Sequence, residues 1–550
     1  MLGNVISRLL GLVREQVIGA VFGVKTGTDV FTVAATVPTM VHDLLVSGAI
    51  SAALIPVFSD YADSHDREEF SRIVSAVLTL AAAALAVVMA LLIVVAPLLV
   101  DIIGGGFDEQ AKAITTYLVR LMLPAVLLMG TSGILTASLY ARQSFTLPAF
   151  AAAVYNLGII ACALLLAGRI QVSSLAVGVL VGTLLQVAIQ LPGMRGIRLR
   201  PRLDLSHPGF RAILKLYAPV ALGLLISNTG VIIDRYLASH TGEGSIAAMR
   251  FATTLVQFPL GLVATATSFA VLPTLSRAAR LEVGDRGSGI RETGRGVDGE
   301  MPEVGEWAGG RVGEPRTQNP ELRTQNPAHR SEYAATLRMG MKMILVLIVP
   351  AAVGLAVLRE PIVQLLFQRG AFDRSATALT SLAFLGYSPE IAFAAVDQVL
   401  IFAFYARKDT KTPVLVGIMA IFVYLAVALS LIQPLGMLGL VLANTAQITS
   451  HAVVLLWLMN RRVDGVVNRE LAGFLGRIVA AALVMGVACQ MVLVVAGHLA
   501  VTGPGVALLV AISAATGVAV YTAAVVVLRV REANQVWELV AGRLGRSRTI

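Results

Sequence analysis

The chain has 550 residues, 57% of them hydrophobic and only 14% charged, and a formal net charge of +10. Soluble globular domains average about 25% charged residues, so this balance excludes a soluble enzyme or binding module and predicts a multi-pass membrane protein. The positive charge does not mark a nucleic-acid partner, because the basic residues sit in short loops between apolar segments rather than in aromatic-rich patches.

The first predicted span, 4–22, carries charge where a membrane helix should have none. At the helical turn angle, Asn4, Ser7, Arg8, Gly11, Arg14, Glu15 and Gly19 share an arc of roughly 140°, opposite Leu9, Leu12, Val13, Val17 and Ala20. An arginine at the bilayer centre costs roughly 3 kcal/mol, so this stripe should line a hydrated cavity with a cationic wall. The simpler alternative pairs Arg8 and Arg14 with Glu15 and Asp29, or lets them snorkel. No signal peptide is expected ahead of this span, and its closeness to Met1 suggests that the start clips a turn.

The second span, 29–58, repeats the device: Asp29, Thr32, Thr36, Thr39, Asp43 and Ser47 fall within about 80° of arc. Further segments able to cross about 30 Å of hydrocarbon lie near 74–103, 113–141, 146–168 and 174–194, then 211–238, 246–276, 335–358, 375–405, 412–432 and 436–460. Two more, 472–497 and 505–530, bring the expected count to about fourteen. In the second group Asp234 shares a face with Gly223 and Ser227, and Arg235 follows it. The next span sets Arg250, Thr253, Thr254, Gln257, Gly261, Thr265 and Ser268 within about 120°. Glu390 and Asp397, seven apart, place acid on the tenth span, as a structural ion pair or as an ion- or proton-coupling group. Pro38, Pro124, Pro219, Pro259 and Pro389 sit inside spans and predict bends. The last two spans are nearly uncharged and should face lipid or an acyl chain.

Lysine and arginine collect in the loops after even-numbered spans, among them Arg72, Arg142, Arg200, Arg407, Lys411 and Arg462, so those loops and both termini are predicted to be cytoplasmic. Cys162 and Cys489 both lie in apolar segments and suggest neither a disulfide framework nor a metal site. No nucleotide-binding loop, zinc motif or nucleophile with a base is present, and His42, His240 and His451 look isolated, so catalysis is not expected.

The chain also repeats itself. Ala53-Leu-Ile-Pro-Val-Phe-Ser59 answers Ala270-Val-Leu-Pro-Thr-Leu-Ser276, 217 residues on. Phe107-Asp108, Pro124, Tyr140-Ala-Arg142 and Pro148 recur as Phe372-Asp373, Pro389, Tyr405-Ala-Arg407 and Pro413, 265 residues on. An insertion must therefore follow Ser276, and 281–331 fits: it is rich in Gly, Arg and Glu, contains the direct repeat RTQNPELRTQNP, and is expected to be a disordered cytoplasmic linker. The expected organisation is an all-α polytopic protein with a first six-helix half (1–203), the first two helices of a second half (204–280), the insert (281–331), the rest of the second half (332–463), and two C-terminal helices with a basic tail (464–550). Six spans per half give both repeats the same orientation, related by a pseudo-two-fold axis along the membrane normal, with substrate between them.

Several stretches together carry a resemblance: SRLLGLVRE at 7–15, Thr28-Asp29, SGAISAALIPVFS at 47–59, IDRYLAS at 233–239, LPTLS at 272–276, LFQRGAFD at 366–373 and FYARKDTKTP at 404–413. In order and spacing the chain resembles the MurJ/MviN lipid II flippases, within the exporters of drugs, oligosaccharidyl-lipids and polysaccharides. The resemblance implies alternating access in the bacterial cytoplasmic membrane. The cargo it implies is an undecaprenyl-diphosphate-linked peptidoglycan precursor, with contacts to membrane lipids and to the cell-wall synthesis machinery. It implies no cofactor, only coupling to a membrane potential or an ion gradient. It carries Arg8, Arg14 and Asp29 over as cavity residues important for transport. Two positions depart from the family pattern: His42 and Thr254 stand where many members have arginine, and Arg250, one turn before Thr254, is expected to substitute for the latter. Arg14 and Arg250 should then hold the substrate diphosphate from opposite sides. Asp234 would join an ion site in some relatives, but 414–432 contains no Asn or Asp to complete it. The alternatives are a flippase for another polyprenyl-diphosphate glycan, a cation-coupled drug exporter, and a non-transporting scaffold.

Overall fold

In the computed structural model the described residues are 2–44, 53–63, 67–197, 199–202, 211–213, 228–266, 275, 327–497, 503–530 and 532. The first half contributes α1 (Leu2–Phe22), α2 (Thr26–His42), α3 (Ile55–Asp63), α4 (Arg67–Ile103), α5 (Glu109–Met122), α6 (Pro124–Ala141), α7 (Thr146–Ile170) and α8 (Ser173–Gln190). The second contributes α9 (228–239), α10 (Ser245–Ala266), α11 (Pro327–Val357), α12 (Arg359–Phe367), α13 (Arg374–Tyr387), α14 (Glu390–Ala406), α15 (Lys411–Leu435) and α16 (Met437–Arg462). α17 (Arg469–Ala496) and α18 (Gly503–Val527) follow.

Among the described residues nine helical stretches are long and apolar enough to cross a membrane, or ten when the bent pair α13–α14 is taken as one span. α1, α2, α9 and α10 lie within or across the other four expected spans, and α2, α9 and α10 cover only the described part of theirs. Most of the insert, LPTLS apart from Leu275, Pro219 and part of the 47–59 stretch lie outside the described residues. The ninth span begins earlier than expected: α11 starts at Pro327, inside the predicted insert, where a proline suits the first turn of a helix.

The 265-residue repeat recurs in backbone geometry. Asp108 and Asp373 each cap a helix by accepting from the N–H three residues on, at 2.7 Å from Ala111 and 2.8 Å from Ala376. Pro124 opens α6 directly after α5, and Pro389 stands at the 43° bend between α13 and α14. Gln143 and Lys408 have φ of 56° and 60°, and Gln171 and Gly436 of 48° and 54°, so equivalent turns use the left-handed region in both halves. Pro97 inside α4 removes the N–H that Ile93's carbonyl would accept, and Arg120 Nε of α5 donates to that carbonyl instead, at 3.1 Å.

The two halves meet at the ends of α1 and α10 on the predicted outer side. There Ala371 N–H donates to Ala20 O at 2.7 Å, and Gly106 N–H donates to Ser239 Oγ at 2.9 Å. Glu243 accepts from Thr26 N–H and Oγ1 at 3.1 and 2.8 Å. Gly23 has φ of 68°, and a Cβ there would stand 2.5 Å from the Ala371 carbonyl, so only glycine lets the chains pass this closely. Phe251, Phe367 and Phe372 pack behind this seam with centroids 5.2–5.6 Å apart.

The C-terminal pair is fastened to the second half by a buried lysine. Lys342 of α11 donates to Glu470 at 2.6 Å and to Glu532 at 2.8 Å, over the Phe474 ring.

Candidate functional site

The polar stripes of α1, α2 and α10 converge, and they do so on a carboxylate. Glu15 is 2% exposed and its Oε1 accepts from Arg14 Nη2 at 2.6 Å, Arg14 Nε at 3.1 Å and Arg250 Nη2 at 2.9 Å. Arg14 Nη1 reaches on to Asn156 Oδ1 of α7 at 3.0 Å, and Asn156 in turn donates to Ser7 O at 3.2 Å. Arg250 Nη1 donates to Thr32 Oγ1 of α2 at 3.1 Å, and its guanidinium lies 5.3 Å from the Phe31 ring centroid. Two guanidiniums on one carboxylate leave one net positive charge, and Glu15 Oε2 has no partner among the described residues.

Arg14 lines two cavities. One, of about 740 Å³, lies between α1 and the second-half helices α10, α12 and α14, and includes Arg8, Thr254, Gln257 and Gln398. The other, of about 320 Å³, is walled by Thr32, Thr36, Thr39, Asp43, Tyr155, Arg235 and Arg250. Gly261 of α10 makes room for Arg8, since a Cβ there would overlap its guanidinium. Both cavities are lined by more arginine than acid and are shared between the halves; the larger is otherwise mostly apolar, with Leu12, Phe258, Leu355 and Ile362 in its wall.

Not every expected residue is here. Arg14 and Arg250 do not face each other across the cavity; they are joined through Glu15, which balances most of their mutual repulsion. Asp29 is not among the residues lining these cavities: it is 3% exposed and its oxygens accept from Gly244 N–H at 2.6 Å and Ala247 N–H at 2.7 Å, capping α10 from the other half. The unpaired N–H groups at a helix start, and the positive end of its dipole, favour a carboxylate in that place. His42 is not among the residues lining these cavities, and its Nδ1 is buried without a partner among the described residues. Thr254 lines the larger cavity and returns its hydroxyl to Arg250 O at 3.0 Å.

The acids of the second half lie apart from the Arg14–Glu15–Arg250 cluster. Asp234 accepts from Tyr424 Oη at 2.8 Å and from Arg235 Nη1 at 3.4 Å, beside a third cavity lined by Gly417, Asn444 and Gln447. Tyr424 is a partner that a search for Asn or Asp on this helix misses. Glu390 is 5% exposed at the start of α14 and its Oε2 has no partner among the described residues. Asp397 pairs with His451, Oδ1 to Nδ1 at 2.6 Å, so His451 is not isolated. Asn156 was also missed; a lone amide in the apolar run of α7 was the available signal. Among the described residues no group of three or more His, Cys, Asp or Glu side chains could hold a metal ion.

A bundle of membrane helices whose two repeats share a cationic cavity is the architecture of a membrane transporter. The comparisons make the class specific. A family profile described as Lipid II flippase MurJ matches residues 18–292 and 320–511, and the chain belongs to that family. The profile passes over 293–319, within the predicted insert, and Arg8, Arg14 and Glu15 lie just ahead of its first matched residue. The Lipid II flippase MurJ of Burkholderia cenocepacia is 27% identical over 425 residues, 76% of this chain and 73% of the relative. A probable lipid II flippase MurJ of Haemophilus influenzae is 28% identical over 465 residues, 82% and 83%. The solved structure of a lipid II flippase MurJ in an inward closed conformation has a TM-score of 0.72 at 19% identity, covering 96% of this chain and 98% of the other.

Proposed function

We propose that this protein moves lipid II, the undecaprenyl-diphosphate-linked peptidoglycan precursor, from the inner to the outer leaflet of the bacterial cytoplasmic membrane by alternating access. The observation that carries the proposal is the Arg14–Glu15–Arg250 cluster at the meeting of the two halves, beside a cavity that Arg8 also lines. A diphosphate leaving the headgroup region must exchange water for donors that stay with it. Guanidiniums supply them as charge-assisted, forked bonds. Glu15 holds both guanidiniums in place while the cavity is empty, and an arriving diphosphate competes with it for the same N–H groups. No bond of the cargo is made or broken, so the protein acts as a transporter and not as an enzyme.

In this reading both termini and the insert face the cytoplasm, the seam at Ala20–Ala371 and Thr26–Glu243 closes the outer side, and the prenyl tail stays in lipid. Membrane lipids and the cell-wall synthesis machinery that consumes the flipped precursor are its partners. Depleting the lipid II flippase of a bacterial host and supplying this gene tests the proposal: survival with normal cell shape is the expected result. Lysis despite normal membrane abundance of the protein would overturn it.

A further inference from the structure

We infer that His451 and Asp397 form a proton-binding site that couples the second half to the substrate cavity; the inference rests on the flippase reading above. His451 of α16 is set between two acceptors: Nδ1 faces Asp397 Oδ1 of α14 at 2.6 Å and Nε2 faces the Pro413 carbonyl of α15 at 3.2 Å. A carboxylate and a carbonyl only accept, so a ring that satisfies both carries a proton on each nitrogen. Loss of either proton turns a lone pair toward an oxygen lone pair. Both side chains are mostly buried, at 14% and 17% exposure, so water does little to soften that contact. The pair is neutral with its proton and carries one negative charge without it.

Among the elements packed around His451, α14 presents Asp397 and, seven residues before it, Glu390. α15 presents the Pro413 carbonyl and Gly417, with Lys411 near its start; α13 contributes Tyr387 at its end. The Arg250 of α10 is engaged at Glu15. Asp234 and Arg235 of α9, paired with each other and with Tyr424, lie across a cavity of about 510 Å³ that Gly417 and Gln447 also line. Just ahead of α15, one turn before Pro413, Asp409 pairs with Arg462 at the end of α16. Nothing but His451 neutralises Asp397 directly among the described residues.

The link to the cavity is a single helix. Gln398, the next residue after Asp397, lines the larger cavity with Arg8 and Arg14. α14 therefore presents neighbouring faces, about 100° apart, to the proton site and to the substrate cavity, and a 43° bend separates it from α13. Deprotonation of the pair loosens α14 from α15 and α16; reprotonation draws the three together. A pH gradient across the membrane would bias which arrangement holds the cargo.

Two measurements on the purified full chain in lipid test this. In histidine-labelled protein the His451 ring, assigned by loss in H451Q, should remain doubly protonated at neutral pH, and D397N should convert it to a neutral tautomer. In proteoliposomes with fluorescent lipid II, a gradient of one pH unit should shift the steady-state leaflet distribution about tenfold for one proton per lipid. H451Q and D397N should flip without responding to the gradient. A neutral His451 ring in the wild type, or an undiminished gradient response in H451Q, would overturn the inference. If the wild type binds the proton but does not flip the lipid, the cargo assignment fails while the proton site stands.

Discussion

At the scale of the residue, the decisive feature is that one carboxylate oxygen serves two guanidiniums. Arg14 spends Nε and Nη2 on Glu15 and Nη1 on Asn156, so its fork fixes α1 against α7 while Arg250 fixes α10 to α1 and α2. Lysine at 14 would keep the charge and reach only one partner. R14K should therefore flip lipid II at a rate between wild type and R14A, measured in proteoliposomes at matched protein content. Glu15→Gln keeps the volume and removes the counter-charge from two half-buried arginines. Breaking a buried ion pair typically costs about 3–5 kcal/mol, so E15Q should lower the thermal midpoint in detergent and reduce flipping at least tenfold. An E15Q protein with unchanged midpoint and rate would mean that the cluster does not hold the halves together.

At the scale of the element, the motif FYARKDTKTP has a local explanation. Asp409 accepts from Lys411 N–H at 3.1 Å, Thr412 N–H at 3.0 Å and Thr412 Oγ1 at 2.6 Å, and pairs with Arg462, which also donates to Thr412 Oγ1 at 2.9 Å. The motif is a cap that starts α15 and ties it to the end of α16. Partial burial alone would raise the Asp409 carboxyl, but the hydrogen bonds from Thr412 and Arg462 bring it down to about 2. A carboxyl lowered on folding stabilises above its unfolded value near 4, and that stability drains away as pH falls toward about 2. The wild-type thermal midpoint should thus drop more between pH 5 and pH 2.5 than that of D409N, which starts lower because the cap loses its charge. Parallel curves would count against this role. The stripes of α1, α2 and α10 were legible because helical periodicity alone decides which residues share a face. What they face was not: Asp29 belongs to the same stripe as Thr32 yet turns to the start of α10, 215 residues on, because free N–H groups happen to be brought there by packing. His451 and Asp397 stand 54 residues apart on separate helices, and no local pattern joins them.

At the scale of the whole molecule, the closed side rests on a few contacts between halves. Cysteines at Thr26 and Glu243, whose side chains meet at 2.8 Å, should be joined by a short bifunctional thiol reagent. Native Cys162 and Cys489 are buried and should stay silent. Cross-linking should arrest flipping, and cleaving the linker should restore it; flipping that persists with the linker in place would show that the seam need not part. A second expectation concerns the insert. The repeat offset grows by 48 residues there, and the family profile passes over 293–319, so the two halves pair without it. Deleting 281–326, which spares the Pro327 start of α11, should leave flipping in proteoliposomes within about twofold of the full chain, the ordinary scatter of a surface change. A loss of rate at normal abundance would assign the insert a working role.

The fastening of Lys342 to Glu470 and Glu532 has a mechanical consequence. Two opposite charges draw α17 and the chain after α18 onto α11, so the C-terminal helices ride with the second half whenever the halves rock. Any acyl chain lying along them is carried by the same swing that reorients the headgroup site. On the flippase proposal, a prenyl tail held there would travel with its headgroup on one lever and would not need to be released for the head to cross.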